Sequence, residues 1–200
     1  MVGVRRFDEG EMVERAMERF WRHGWEATSM ADLADATGVQ RGSLYNAYGG
    51  KAPILLMALD AYAARWRMGV EVALAEREPQ AAIAAFLEVH VARMADPANP
   101  PGCLATSVAM DAVDADPSIA ERIDAQFTRT EEALERYFAE ATVDGRLTSG
   151  RDPRALARFF VAVSRGMAVM HKAHGGDINI VREIASEALA TLDKPEVRGI

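Results

Sequence analysis

Two short apolar-periodic segments, 29–37 and 40–48, are separated only by a turn at Gly38, and this spacing constrains the fold more than any other feature. So tight a reversal needs a residue without a Cβ clash, which Gly38 supplies, and Val39 is placed to plug the corner. Ser29 and Asp32 have the spacing of an N-terminal cap, after which Leu33 and Ala34 point inward. The next segment opens at Gln40, Arg41 and Gly42 and directs Leu44 and Tyr48 to the core. Upstream, Asp8 and Glu11 repeat the capping spacing, and Phe7 and Met12 are placed as a hydrophobic staple. Val13, Ala16, Met17 and Phe20 then recur at helical spacing until Gly24 stops the helix. Two short helices on a longer one predict a tri-helical helix-turn-helix, about 29–48 within a domain of 1–51.

The third helix carries side chains suited to DNA. Gly42 and Ser43 are small enough for close backbone approach, and Arg41 can donate a bidentate pair to guanine O6 and N7. Tyr45, Asn46 and Lys51 offer hydroxyl, amide and ammonium donors to phosphates, which position a helix without reading sequence. The expected DNA-facing set is therefore Ser29, Gln40, Arg41, Gly42, Ser43, Tyr45, Asn46 and Lys51.

Charge argues mildly the other way. The chain carries −7, of which residues 1–51 contribute about −1. DNA-binding proteins usually have a basic footprint, so attraction here must come from a few placed cations and helix N-termini. The negative balance also fits a helical interaction module or small-molecule carrier whose helix-turn-helix grips protein; Arg41, Tyr45 and Lys51 on one face oppose that alternative. No apolar run approaches the ~18 residues of a membrane span, and the start of the chain lacks a signal-peptide core. With one cysteine there is no intrachain disulfide, and a cytoplasmic protein without membrane association is expected. No nucleophile elbow, phosphate loop or carboxylate pair stands in a recognisable context, so neither an enzyme nor a cofactor is expected. His171, His174 and Asp177 have metal-ligand spacing, but a helix end at Gly175 and Gly176 favours histidine through the dipole alone. No metal is expected.

The rest of the chain is also helical, giving an all-α fold in which 52–200 form the larger domain. A fourth helix is expected over about 51–77, with Pro53 tolerated in its first turn. A fifth starts at Pro79 and lines up Ile83, Phe86, Leu87, His90, Val91 and Met94. Three prolines and a glycine stiffen 96–102, and a sixth helix runs from Cys103 to about Val113. Asp116 with Pro117, and Asp152 with Pro153, are N-cap and N1 pairs opening helices seven and eight. Helix seven carries Ile119, Ile123, Phe127, Thr130, Leu134, Phe138 and Ala141 in one stripe, and Ser149 and Gly150 mark the loop after it. Helix eight has two stripes: Leu156, Phe160, Val163, Met167 and Met170, and beside them Phe159, Ala162, Gly166, Val169 and Ala173. A helix apolar on two faces is buried on two sides. Helix nine offers Ile178, Val181, Ala185, Ala188 and Leu192.

Residues 28–51 resemble the tetracycline-repressor (TetR) family of bacterial regulators. They reproduce a Thr-Ser pair, an apolar-Ala pair, Gly-Val, a small residue before Leu-Tyr, an aromatic and a lysine at the family's spacing. Ala47 and Ala52 replace the family's usual histidine and acidic residue. The resemblance, close over about 7–59, implies a ligand-responsive repressor that binds a palindromic double-stranded DNA operator and is released by a small molecule. It further implies a homodimer through helices eight and nine and an effector pocket among helices four to eight. Candidate pocket residues are Trp66, Phe86, His90, Cys103, Ser107, Met110, Phe127, Phe138 and Met167.

Overall fold

The computed structural model describes residues 7–112, 114, 116–147 and 150–193. The start of the chain (residues 1–6), Val113 and Ser149, all used in the sequence reading, lie outside the described residues. Among the described residues there is no strand, and the helices are α1 (Glu9–His23), α2 (Met30–Thr37), α3 (Arg41–Tyr48), α4 (Lys51–Ala73), α5 (Pro79–Ala95), α6 (Leu104–Asp111), α7 (Pro117–Val143), α8 (Pro153–Ala173) and α9 (Ile178–Ala190).

Local chemistry sets most of the boundaries. Asp8 accepts from the Glu11 N–H at 3.1 Å. Glu11 pairs with Arg15 at 2.5 Å instead of reaching back, so only half of that capping box forms. At α2 both halves form between Ser29 and Asp32. Gly38 is left-handed at φ 71°, and the Thr37 hydroxyl donates to the Leu33 carbonyl at 2.6 Å, which closes the turn. Asp116 and Asp152 cap α7 and α8, each followed by proline, as the sequence predicts.

The fourth helix stops short of the expected Arg77. Pro79 forces Glu78 into an extended conformation, and the Tyr137 hydroxyl bonds to the Glu76 and Arg77 carbonyls at 3.0 and 3.1 Å. The chain therefore leaves the helix at Ala73 and is held against α7.

Phe20, Leu33, Leu44, Ile54 and Leu55 are fully buried where the first three helices meet α4. The same core continues through Phe86, Phe138 and Phe160, so α4 joins the three N-terminal helices to the larger helical part. On α8 the inward face is Leu156, Phe160, Ser164, Met167, Ala168 and His171. This corrects the first expected stripe: Met170 is 38% exposed and Val163 is only half-buried. Ser164 and His171 take inward places because each has a partner, the Val161 carbonyl and the Gly102 N–H. The second stripe is largely uncovered in the single chain: Ala162, Gly166, Val169 and Ala173 are exposed, and only Phe159 is half-buried against the core. No described helix is long and apolar enough to cross a membrane.

Candidate DNA-facing surface and interior polar cluster

Helix α3 buries one side chain, Leu44. Gln40, Arg41, Gly42, Ser43, Tyr45 and Asn46 are all exposed, so the structure brings six of the eight expected residues onto one short element. The Arg41 guanidinium lies over the Tyr45 ring, 5.5 Å from its centroid, and both side chains are exposed. Nothing stands within 4 Å of where a Gly42 side chain would project. Tyr48, expected in the core, is half-buried, and its hydroxyl donates to Glu9 at 3.0 Å. Burial and that carboxylate push the phenol up to about 12.

The other two residues have local duties. The Ser29 hydroxyl donates to Asp32 at 2.6 Å within the cap. Those bonds, with Arg19 behind them, hold the Asp32 carboxyl below its usual range. Lys51 turns its ammonium into the link between α1 and α2, donating to the Trp25 carbonyl at 2.9 Å and the Thr28 carbonyl at 3.1 Å. The same ammonium sits 4.0 Å above the Trp25 ring. It braces the start of α4 against the end of α1.

The expected pocket residues do not surround one cavity. Trp66 lines a space of about 420 Å³ between α4 and α7, with Gln126 and Thr130 opposite. Cys103, Ser107 and Met110 line a second, of about 390 Å³, between α6 and α8; Met110 is 80% exposed. Phe86, Phe138 and Met167 are enclosed in the core, and Phe127 is half-buried under Arg165 at 4.5 Å.

Between the two spaces lies a polar cluster that joins the expected Trp66, His90 and Cys103 to two arginines not expected there, Arg93 and Arg165. Arg93 of α5 rests against the rings of Trp21, Tyr62 and Trp66 at 5.1–5.4 Å and donates to the Tyr62 hydroxyl. Tyr62 in turn donates to the Cys103 thiol at 3.0 Å, which Arg165 of α8 approaches at 3.7 Å. Burial alone would raise the Cys103 thiol, but Arg93, Arg165 and Thr106 outweigh it and bring it down to about 7. His90 meets Trp66 edge-on with ring centroids 3.8 Å apart and Nδ1 against the Phe86 carbonyl; burial and then Arg165 hold it well below its ordinary value. A signal existed, since Arg93 continues the Phe86–His90 row at i+7, but an arginine on an apolar row is ordinarily assigned to solvent.

Helix α6 ties this cluster to the DNA-facing unit. Its N-cap is Cys103, and its last residue, Asp111, accepts the Trp25 N–H at 2.9 Å just beyond α1. Trp25 is thus held by α6 through its N–H and by α4 through its carbonyl.

Comparisons with known proteins agree with this geometry. Residues 13–58 match the pattern "Bacterial regulatory proteins, tetR family" and residues 79–186 match "Tetracyclin repressor-like, C-terminal domain". The HTH-type transcriptional repressor ComR of Escherichia coli is 27% identical over 189 residues, covering 92% of this chain and 88% of its own. The uncharacterized HTH-type regulator YezE of Bacillus subtilis is 28% identical, covering 94% and 97%. A cysteine mutant of the TetR-family regulator CifR, solved with 26-bp operator DNA, superposes with a TM-score of 0.85 at 25% identity, covering 94% and 98%. With the second of those patterns spanning more than half of the chain and the helix-turn-helix pattern lying before it, the chain belongs to the TetR family of bacterial transcriptional regulators, a family of DNA-binding proteins and not of enzymes.

Proposed function

We propose that this regulator is a cytoplasmic, dimeric repressor that sets α3 of each protomer into successive major grooves of a palindromic operator and lets go when a small molecule binds its C-terminal helices. The observation that carries the reading is α3 itself, which exposes Gln40, Arg41, Gly42, Ser43, Tyr45 and Asn46 while spending Leu44 and the half-buried Tyr48 on packing. Arg41 reads a guanine, while Tyr45 and Asn46 hold phosphates. The named repressor activity of the Escherichia coli relative and the operator complex of CifR support the direction. A dimer is supported by the second stripe of α8 and by a groove of about 450 Å³ between α8 and α9, lined by Phe159, Val163, Ile184 and Ala188. Two recognition helices need to sit ~34–36 Å apart to meet one face of the duplex. Release runs through α6 and α4: a ligand preferring a shifted α6 moves Asp111, hence Trp25 and the end of α1.

The test is operator titration with DNA flanking the gene, followed by anisotropy. Arg41→Ala is expected to cost about 1–3 kcal/mol and to relax preference at one base position. If Arg41→Ala and Tyr45→Phe both leave specific binding intact, α3 is not the reading element.

A further inference from the structure

Two half-buried arginines, Arg93 and Arg165, bring more positive charge to the edge of the core than the fold itself uses. Neither Arg93 nor Arg165 has a carboxylate within 4.0 Å among the described residues. Arg93 Nε and Arg165 Nε and Nη2 are shut off from solvent without any acceptor. Trp66 Nε1, His90 Nε2 and both amide atoms of Gln126 are orphaned in the same way. His90 is 1% exposed and Gln126 6%, so water does not serve them at the surface. Folded proteins pair their buried donors and neutralise their buried charges. Five of these seven orphans are donors, three of them on the two guanidiniums, and they mark the place of a missing acceptor that carries negative charge. The Cys103 thiol is one counter-charge for two guanidiniums.

Access comes from the α4–α7 side. Trp66 and Gln126 form the inner wall of the 420 Å³ cavity there, within the ~300–1,000 Å³ typical of small-molecule sites. The Trp66 ring lies 5.1 Å from Arg93 and 3.8 Å from His90, so the wall is one side chain thick. Ala63, Val70 and Ala133 make the sides apolar, while Arg67, Arg129 and Arg136 offset Asp60, Glu71 and Glu132 at the mouth.

We propose that this cluster is the head-group site of the effector, and that the effector is a carboxylate-bearing small molecule with an aromatic or compact apolar body. The body lies in the α4–α7 cavity, whose lining includes neither arginine, and the Trp66 ring turns aside to let the carboxylate take the orphaned N–H groups of Arg165 and Arg93. A guanidinium fork matches a carboxylate in two parallel bonds. An amide of the same shape turns donors toward donors and leaves them unpaired. The inference rests on the ligand-responsive reading above and gives it a chemical class.

The experiment uses the full chain without DNA and follows tryptophan fluorescence. The probes are benzoate and 2-naphthoate, each beside its neutral amide. At least one carboxylate is expected to bind tenfold or more tightly than its amide. Arg165→Gln should abolish that preference while leaving amide affinity unchanged. Should that variant fail to fold in a thermal melt, Arg165→Lys keeps the charge, loses the fork and is expected to weaken carboxylate binding tenfold. Wild-type protein that binds neither carboxylate better than its amide overturns the proposal. So does a preference that survives in whichever variant folds. Because binding is read on free protein, either failure leaves the regulator reading to be judged by operator titration alone.

Discussion

Replacing Lys51 with methionine separates two roles that a lysine can have beside DNA. In the structure the ammonium donates to the carbonyls of Trp25 and Thr28, residues that are 7% and 0% exposed, and covers the Trp25 ring. Hydrogen bonds to a charged group contribute about 1.5–3 kcal/mol each, less where water reaches one partner, and an exposed cation–π contact adds about 0.5–1. Methionine keeps the apolar stem, so the loss should be roughly 2–4 kcal/mol of stability. For a chain of this size that lowers Tm by roughly 4–16 °C. Urea unfolding at fixed protein concentration should give a lower midpoint with an unchanged m-value. Operator titrations at several salt concentrations complete the assay. A lysine spent on carbonyls leaves the slope of log affinity against log salt nearly unchanged, whereas a phosphate contact removes about one unit. Stability within about 0.5 kcal/mol of wild type, together with a slope lowered by one, would refute the brace and restore Lys51 to the phosphates.

Other expectations concern the interior and its link to α1. His90 is buried neutral, its folded value held below the unfolded one, so stability is complete above the unfolded value and falls as pH drops through it. Between pH 7 and 5.5 this should cost about 1 kcal/mol, a slope that His90→Gln removes in pH-dependent urea melts. The Cys103 thiolate absorbance near 240 nm, taken as the difference from Cys103→Ser, should titrate around 7, and Arg165→Gln should move it upward; a midpoint in the ordinary thiol range would contradict the cluster's geometry. Asp111→Ala leaves the Trp25 N–H without its acceptor and should cost about 1–3 kcal/mol in denaturant unfolding, with no loss expected if the Asp111–Trp25 bond is absent in solution.

What the sequence made legible is what local chemistry decides. Ser29 with Asp32, Gly38 after Thr37, and the two Asp-Pro pairs each settle a boundary within a few residues, and all of them stand where their spacing put them. Leu44 and the α5 row Ile83, Phe86, Leu87, His90, Val91 and Met94 are buried as their periodicity required. The less legible features depend on contacts far apart in the chain. Lys51 reads as a free cation until Trp25 and Thr28, 26 and 23 residues away, are brought to it. The stripe on α8 was counted by hydrophobicity, so Ser164 and His171 were passed over, although their partners Val161 and Gly102 make them good inward residues. Arg93 and Arg165 were missed for the same reason. Aromatic candidates such as Phe86 and Phe138 satisfied the pocket pattern and the core pattern equally, and the fold used them as core.

The slight anchoring of α3 sets how that helix behaves between visits to DNA. Eight residues held by Leu44 and, at the far end, by Tyr48, with no side-chain cap at Gln40, are close to the shortest helix that tertiary contact can maintain. Its amides should therefore exchange with solvent deuterium through local opening, long before those of α7 and α8, whose exchange requires the core to come apart. Operator binds the closed helix and not the open one, so exchange in α3 becomes a gauge of occupancy read from the protein side. Part of the ordering that DNA recognition demands is then completed on the DNA, and the association should carry a larger negative heat-capacity change than its contact area alone implies.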